Sequence, residues 1–512
     1  MLTLLSLLAL TQSEPTLGTT AELAYPESVY PQEATPTRLA QQTNSIVQPQ
    51  EVRPLPGALD QVPVFNDNSP ELVQTDGILL STFPRRGKAT PDAHLDYAFN
   101  GRFDIFSHHV VRSQTPGDTR TLYQAILIHN PGRRTVTLNL REAASYLSQD
   151  APWHERASVE SNLASTNFSG PGSRLMNDIL RDRRQPHWPT QVEIPPGESY
   201  LLMNAPIPLR RLSVATDGTL SPGSALLPPP TQGKASGDDD RINARSTLMR
   251  LSSSGPVYVA SLAMHAPATD DGGERVPTLD EWKQVLIRGE LASPRDLAPT
   301  APRAARRADP LIYGRVGGVA QGSSWRATLT DRSSSHRLTI PDTERPISYV
   351  LSTLERNTFG TGQIQSAPML ARYTDTAYRA NGNYGIEYNL TLPLYNDSDR
   401  NQTVTLSVQT PLQNENLQDA LTFLDPPDPR VFFRGTVLFL YPDATGRRRA
   451  NFTHLVQQRG QRGEPLVQID IPAGEQRQVE VQFLYPPDAT PPQVLTIETQ
   501  GATLAAGDFE PN

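Results

Sequence analysis

Ile386-Glu-Tyr-Asn-Leu-Thr-Leu-Pro-Leu-Tyr-Asn396 is the stretch from which the fold can be read. Ile386, Tyr388, Leu390, Leu392 and Leu394 alternate with Glu387, Asn389, Thr391 and Pro393. Successive side chains on a strand point to opposite faces, so this run has one apolar and one polar side. The same period returns in Val404, Leu406 and Val408 against Thr403, Thr405 and Ser407, and in Val479, Val481 and Phe483 against Glu480 and Gln482. Strands of this kind belong to antiparallel sheets packed on one face.

Working outward, the same motifs occur twice. Tyr123-Gln-Ala-Ile-Leu-Ile-His-Asn130 also ends at an Asn, followed by a Pro-Gly turn and Thr135-Val-Thr-Leu138. The later run ends at Asn396, followed by a polar turn and Thr403-Val-Thr-Leu406. A short helix is expected after each, over 142–148 and 416–424. Ile194-Pro-Pro-Gly-Glu198 and Ile471-Pro-Ala-Gly-Glu475 come next, each reading as a strand end turning into a new strand. Four matches in one order point to a duplication. The expected fold is all-β: two antiparallel β-sandwich-like domains with a few short helices. They are placed at 51–290 and 311–500, joined by an Ala/Pro/Arg linker over 291–310, with a tail at 501–512. Helices are expected behind the capping box Thr278-Leu-Asp-Glu281 and over 173–183, where Leu175, Ile179 and Leu180 share a side.

The chain begins with an apolar run, Met1-Leu-Thr-Leu-Leu-Ser-Leu-Leu-Ala-Leu10, of signal-peptide length and too short to span a bilayer. Small residues allow cleavage after Ser13, although no Lys or Arg precedes the run. Residues 14–50, rich in Pro, Thr and Gln, read as a flexible tether. Pro is abundant throughout, at 48 of 512 residues, which suits strands joined by loops. No Cys is present, which excludes disulfides, thiolate metal sites and Cys nucleophiles. The net charge of -8 argues against nucleic acid as a partner, because phosphate binding needs a concentrated basic surface. No stretch is long and apolar enough for a transmembrane span.

Catalytic signatures are absent: there is no phosphate loop, no Gly-x-Ser-x-Gly elbow and no His-Glu-x-x-His. Asp397-Ser-Asp399-Arg-Asn401 has the alternating oxygens of a calcium loop but lacks its Gly and its bidentate Glu, and reads as a hairpin turn. Asp238-Asp-Asp240 reads as a solvated loop. No metal site and no cofactor is expected. Histidine is uneven, with seven of nine between His94 and His265. In Phe103-Asp-Ile-Phe-Ser-His-His-Val110, alternation puts Asp104, Phe106 and His108 on one face and His109 on the other. Asp104, His108 and His129, the last at the end of the repeated strand, are the candidates for acid–base work. A structural, hydrogen-bonded role is the simpler reading for all three. Trp153 and Trp188, in Pro-containing loops, are expected to be partly buried rather than open for sugar stacking.

Several runs resemble a family. Pro54-Leu-Pro-Gly57, Pro63-Val-Phe-Asn-Asp-Asn-Ser-Pro-Glu71, Asp76-Gly-Ile-Leu-Leu-Ser-Thr-Phe83, Gly101-Arg-Phe-Asp-Ile-Phe106, Thr358-Phe-Gly-Thr-Gly-Gln-Ile-Gln-Ser366 and Asn383-Tyr-Gly-Ile-Glu-Tyr-Asn-Leu-Thr-Leu392 are similar to a large uncharacterised cyanobacterial family, a domain of unknown function. The resemblance covers about residues 50 to 500. It implies a cyanobacterial exported or envelope protein and carries over no catalytic residues. The expectation is a non-catalytic protein, periplasmic or at the cell surface, that binds cell wall, polysaccharide or an envelope protein. The alternative is a carbohydrate-active or metal-dependent hydrolytic enzyme with its site in the first domain. A third reading is an assembly protein whose strand edges pair with partners.

Overall fold

A computed structural model describes residues 43–501 apart from 113–114, 116, 150–156, 211–218, 225–241, 306, 416–418, 444 and 488. The leader, most of the tether, the tail, Trp153 and Asp238-Asp-Asp240 lie outside the described residues.

The alternation in the opening stretch does what its period demands. Tyr388, Leu390, Leu392 and Leu394 are buried, while Glu387, Asn389 and Thr391 are half-buried. Strands dominate the described residues, with two α-helices, α1 (Pro171–Leu180) and α2 (Leu279–Arg288). In the first half, one layer runs Gln191–Ile194, Val136–Gln149, Asn243–His265, Phe99–Val111. The facing layer holds Ser199–Pro208, Thr121–His129 and Gly77–Ser81. Asn243–His265 belongs to both. It pairs with Phe99–Val111 up to an irregularity between Ser253 and Val257, then with Thr121–His129. Gly255 and Pro256 sit at that corner, where Pro removes a ladder donor and Gly relieves the crowding of a bend.

The second half repeats this plan. Val467–Ile471, Gln402–Gln409, Gln493–Thr499 and Ile347–Leu351 form one layer. Arg448–Arg459, Asp428–Pro442, Gln476–Leu484 and Glu387–Tyr395 form the other. The shared motif is a clamp around a buried Asn. Asn130 Nδ2 donates to the carbonyls of Arg134 at 2.7 Å and Ile194 at 2.8 Å. Asn396 Nδ2 donates to Arg400 at 2.7 Å and Ile471 at 2.8 Å. Each Asn Oδ1 accepts a backbone N–H two residues on, from Gly132 and from Ser398. Each Asn carbonyl accepts from the Gly of its Ile-Pro-x-Gly-Glu turn, Gly197 and Gly474. The Asn therefore ties a hairpin turn to a turn more than sixty residues away, which is why both motifs recur together.

The structure corrects the alignment of the repeat. Thr137 bonds Glu193 and Thr403 bonds Asp470 at equivalent positions. Thr403-Val-Thr-Leu406 thus corresponds to Thr137-Leu-Asn-Leu140, two residues past the match in sequence. A shift of two keeps every side chain on its face, so the pattern alone does not reveal it.

Other expectations change too. Residues 142–148 are strand, within Val136–Gln149. Their Ala-rich stretch favours a helix locally, but pairing with Asn243–His265 supplies backbone partners along its whole length. Ala420–Asp425, overlapping the second expected helix, is also strand. Parallel pairs occur beside the antiparallel ones, as between Pro63–Asp67 and Phe99–Val111 and between Ser324–Thr328 and Glu387–Tyr395. The sheets do not divide at 291–310. Pro63–Asp67 pairs with Gly317–Gln321, and Val159–Ser161 with Arg448–Arg459. Within 291–310, Ala292 and Ala305 are buried, and Arg295 pairs with Asp375 at 2.8 Å. Asn44–Pro49, inside the stretch read as tether, pairs with Ala420–Asp425.

Both helices pack against the sheets. The capping box of α2 is formed: Thr278 accepts from the Glu281 N–H, and Glu281 accepts from the Thr278 N–H. Trp282 and Leu286 then bury against Ala125 and Leu127, on the outer side of Thr121–His129. Helix α1 packs Leu175, Met176 and Ile179 into the large core shared with Leu390, Val437 and Val481.

Candidate functional site

Phe99–Val111 carries two of the three candidates and lies at the seam between the halves. Alternation sends Phe103 and Ile105 into the first sandwich's core and Phe106 into the core shared with the second half. Asp104 and His108 share the Phe106 side; His109 faces the other way. Asp104 sits opposite Arg250, which sits opposite Glu142. Arg250 bridges Glu142 at 3.1 Å and Glu387 of the second half at 2.5 Å, and lies 4.0 Å from Asp104. One guanidinium thus serves three carboxylates at a site only 8% exposed. Burial pushes the Asp104 carboxyl up to about 6, against the pull of Arg250 and Arg102. For Arg250, burial opposes its charge, but Glu387 and the other acids outweigh it and hold the cation.

His108 is buried, and its Nδ1 lies 2.7 Å from the Ser246 hydroxyl. Burial, with repulsion from His109 and Arg315, lowers its pKa to about 3, so the ring is neutral. Its Nε2 is 4.0 Å from Glu71, which is itself paired with Arg315. On the opposite face, His109 Nε2 meets Asp67 at 2.9 Å and Nδ1 meets the Pro70 carbonyl at 2.8 Å. Burial works against the His109 cation, but Asp67 outweighs it and the pKa is raised. Ser107 donates to the same Asp67 oxygen, and Gln124 donates to Ser107.

His129 lies apart from these groups. It ends Thr121–His129, where Nδ1 is 3.0 Å from the Ser199 hydroxyl and the ring packs against Phe83, centroids 5.4 Å apart. Partial burial lowers its pKa. Among the described residues, no hydrogen bond or ion pair joins His129 to Asp104 or to His108. Trp188 is buried, with its Nε1 donating to Gln185 at 3.2 Å.

The groups that sequence reasoning missed are the partners. Arg250, Glu142, Glu387, Asp67, Glu71 and Arg315 come from separate strands and loops on both sides of residue 300. One signal pointed to them: Arg250 stands between Met249 and Leu251, and Glu142 just before Ala143-Ala144, and a charge at a core-facing position requires a partner. Among the described residues, no group of three His, Asp or Glu side chains is arranged to hold a metal ion.

The cavity beside Asp104 is small, about 10 Å³. The larger depression lies elsewhere, beside Asn44–Pro49, and measures about 530 Å³. It is lined by Ile46, Val47, Phe423, Leu424 and Arg462 among others. Asn44–Pro49 and Ala420–Asp425 form a two-stranded ribbon of their own. Leu424 N–H donates to Gly460 and the Thr422 carbonyl accepts from Leu412, so the outer side of Ala420–Asp425 is occupied. Asn44–Pro49 forms the ribbon's other margin, with Ile46 47% and Val47 59% exposed.

No curated protein matches the chain. Among solved structures, the crystal structure of Lac15 from a marine microbial metagenome is similar at 10% identity, covering 88% of this chain and 66% of that one, with a TM-score of 0.12. This chain therefore spans just under two thirds of the Lac15 length. The structure of the Macrobrachium rosenbergii nodavirus is similar at 9% identity over 96% of this chain and 98% of that one, also with a TM-score of 0.12. Superpositions this loose carry no argument. A family model described as Protein of unknown function (DUF3370) matches residues 50–499, a span that takes in both Asn clamps, the seam and its charges. The chain belongs to the DUF3370 family.

Proposed function

We propose that this is a non-catalytic exported protein of the cyanobacterial envelope, periplasmic or at the cell surface, that binds another envelope protein by strand addition. The observation that carries the reading is the ribbon margin at Asn44–Pro49. Natural sheets guard such margins with charges, bulges or covering loops. This strand has no charged residue and exposes Ile46 and Val47 beside a groove of about 530 Å³. An extended partner segment would take backbone bonds from the margin and set alternate side chains in the groove. The histidines of this strand support a non-catalytic role, because His108 and His109 of Phe99–Val111 are buried and bonded to Ser246 and Asp67 in the core.

Retention on isolated envelope membranes tests the reading. The expected result is binding by the purified chain and its loss in an Ile46→Lys/Val47→Lys variant with an unchanged melting temperature. Equal retention of both proteins refutes strand addition. Fractionation of cells expressing the chain with and without residues 1–13 tests export separately; a full-length cytoplasmic product refutes it.

A further inference from the structure

A second feature is independent of the ribbon and lies at the seam. Val64 sits opposite Asp104 on one neighbour and opposite Ala320 on the other. Asn66, two residues beyond Val64, faces the same side. Tyr384, Gly385 and Ile386 of the second half close over them. A Cβ at Gly385 would lie 3.2 Å from the Phe106 ring and its φ is +82°, so glycine lets the backbone come this near. The enclosed space is about 10 Å³.

Asp104 and Asn66 are 2% and 5% exposed. In each, the Oδ1 atom is buried without a hydrogen-bond partner. Both residues line the one small chamber, and a buried acceptor left without a donor is costly. Arg250 does not relieve Asp104, because it approaches the other carboxylate oxygen and is shared with Glu142 and Glu387. A single water needs about 10–15 Å³ and at least two polar partners. We propose that the chamber is a binding site for one structural water, which donates one hydrogen to Asp104 Oδ1 and the other to Asn66 Oδ1. The water bridges Pro63–Asp67 and Phe99–Val111 beneath the 384–386 segment, and so forms part of the joint between the halves. An apolar occupant would leave both acceptors bare.

A crystal structure of the full chain, at a resolution where backbone-bound waters are distinct, tests the site. The expected result is one density peak within about 2.7–3.0 Å of both Oδ1 atoms. An empty chamber overturns the proposal. So does an Asn66 amide bonded directly to Asp104, or a peak ringed by about six oxygens at metal-ligand distances.

Discussion

Replacing Asp104 with Asn should remove a pH-dependent loss of stability. The Asp104 carboxyl titrates near 6 in the folded chain, against 3.8 for an unperturbed Asp, because burial disfavours its charge. A folded-state pKa raised above the unfolded one means that the contribution is fully present below about pH 4 and is lost as pH rises through about 6. The difference of about two units corresponds to roughly 3 kcal/mol. Asn matches the size of Asp and cannot ionise. Arg250 keeps Glu142 and Glu387 as partners, so the variant loses only the 4.0 Å contact. The assay is urea denaturation of both proteins from about pH 4 to about pH 8, taking the difference in unfolding free energy at each pH. Other buried groups, including Glu71 and His109, titrate alike in both proteins and cancel. Asp104→Asn should gain on the parent by about 2–3 kcal/mol across that window. A difference that stays flat with pH refutes the assignment of a buried, high-pKa carboxyl to Asp104.

Arg250→Met should destabilise the chain by about 3–5 kcal/mol at neutral pH, because two buried carboxylates, Asp104 and Glu142, and the half-buried Glu387 lose their cation; a loss under about 1 kcal/mol in urea denaturation refutes the network. Asn130→Ala and Asn396→Ala should each cost about 2–3 kcal/mol, since each strips two carbonyls and one N–H of a partner. The two losses should add in the double variant, the clamps being far apart in the fold; a cost in only one clamp would refute their equivalence. By NMR, His108 should stay neutral down to about pH 3, while His109 titrates above the usual histidine value. The sign follows: His108 adds stability at neutral pH that is lost as pH falls toward 3, and His109 adds stability at low pH that is lost as pH rises through its raised pKa. Thr278→Ala should cost about 1 kcal/mol through loss of the α2 cap, read as a lowered melting temperature.

The strand period was legible because it is a local consequence of backbone geometry. Tyr388, Leu390, Leu392 and Leu394 declared their face without reference to anything else in the chain. The capping box at Thr278 was equally local, since donor and acceptor lie three residues apart. The opposed faces of Asp104 and His109 followed from the same rule. What failed was the helix expected at 142–148, where local Ala content lost to pairing with a strand a hundred residues away. Of the candidate site, the sequence offered Asp104 and His108 but not what they touch. A charge at Arg250 calls for a partner, but nothing near residue 104 or residue 250 names Arg250 or Glu387 as that partner.

By itself, then, the sequence determined an all-β chain without cysteine, its two-residue period, its duplicated order of motifs and the start of α2. These rest on interactions within a few residues, or on motifs whose order survives in one dimension. Only the tertiary structure decided that the repeated Asn binds its distant Ile-Pro-x-Gly-Glu turn, that the repeat aligns two residues from its apparent match, and that sheets run across residues 291–310. It also decided which partners the buried acids and histidines of the seam meet. Those outcomes depend on strand registers between segments tens to hundreds of residues apart. A register shift of two leaves the hydrophobic pattern unchanged, so the pattern contains no record of it.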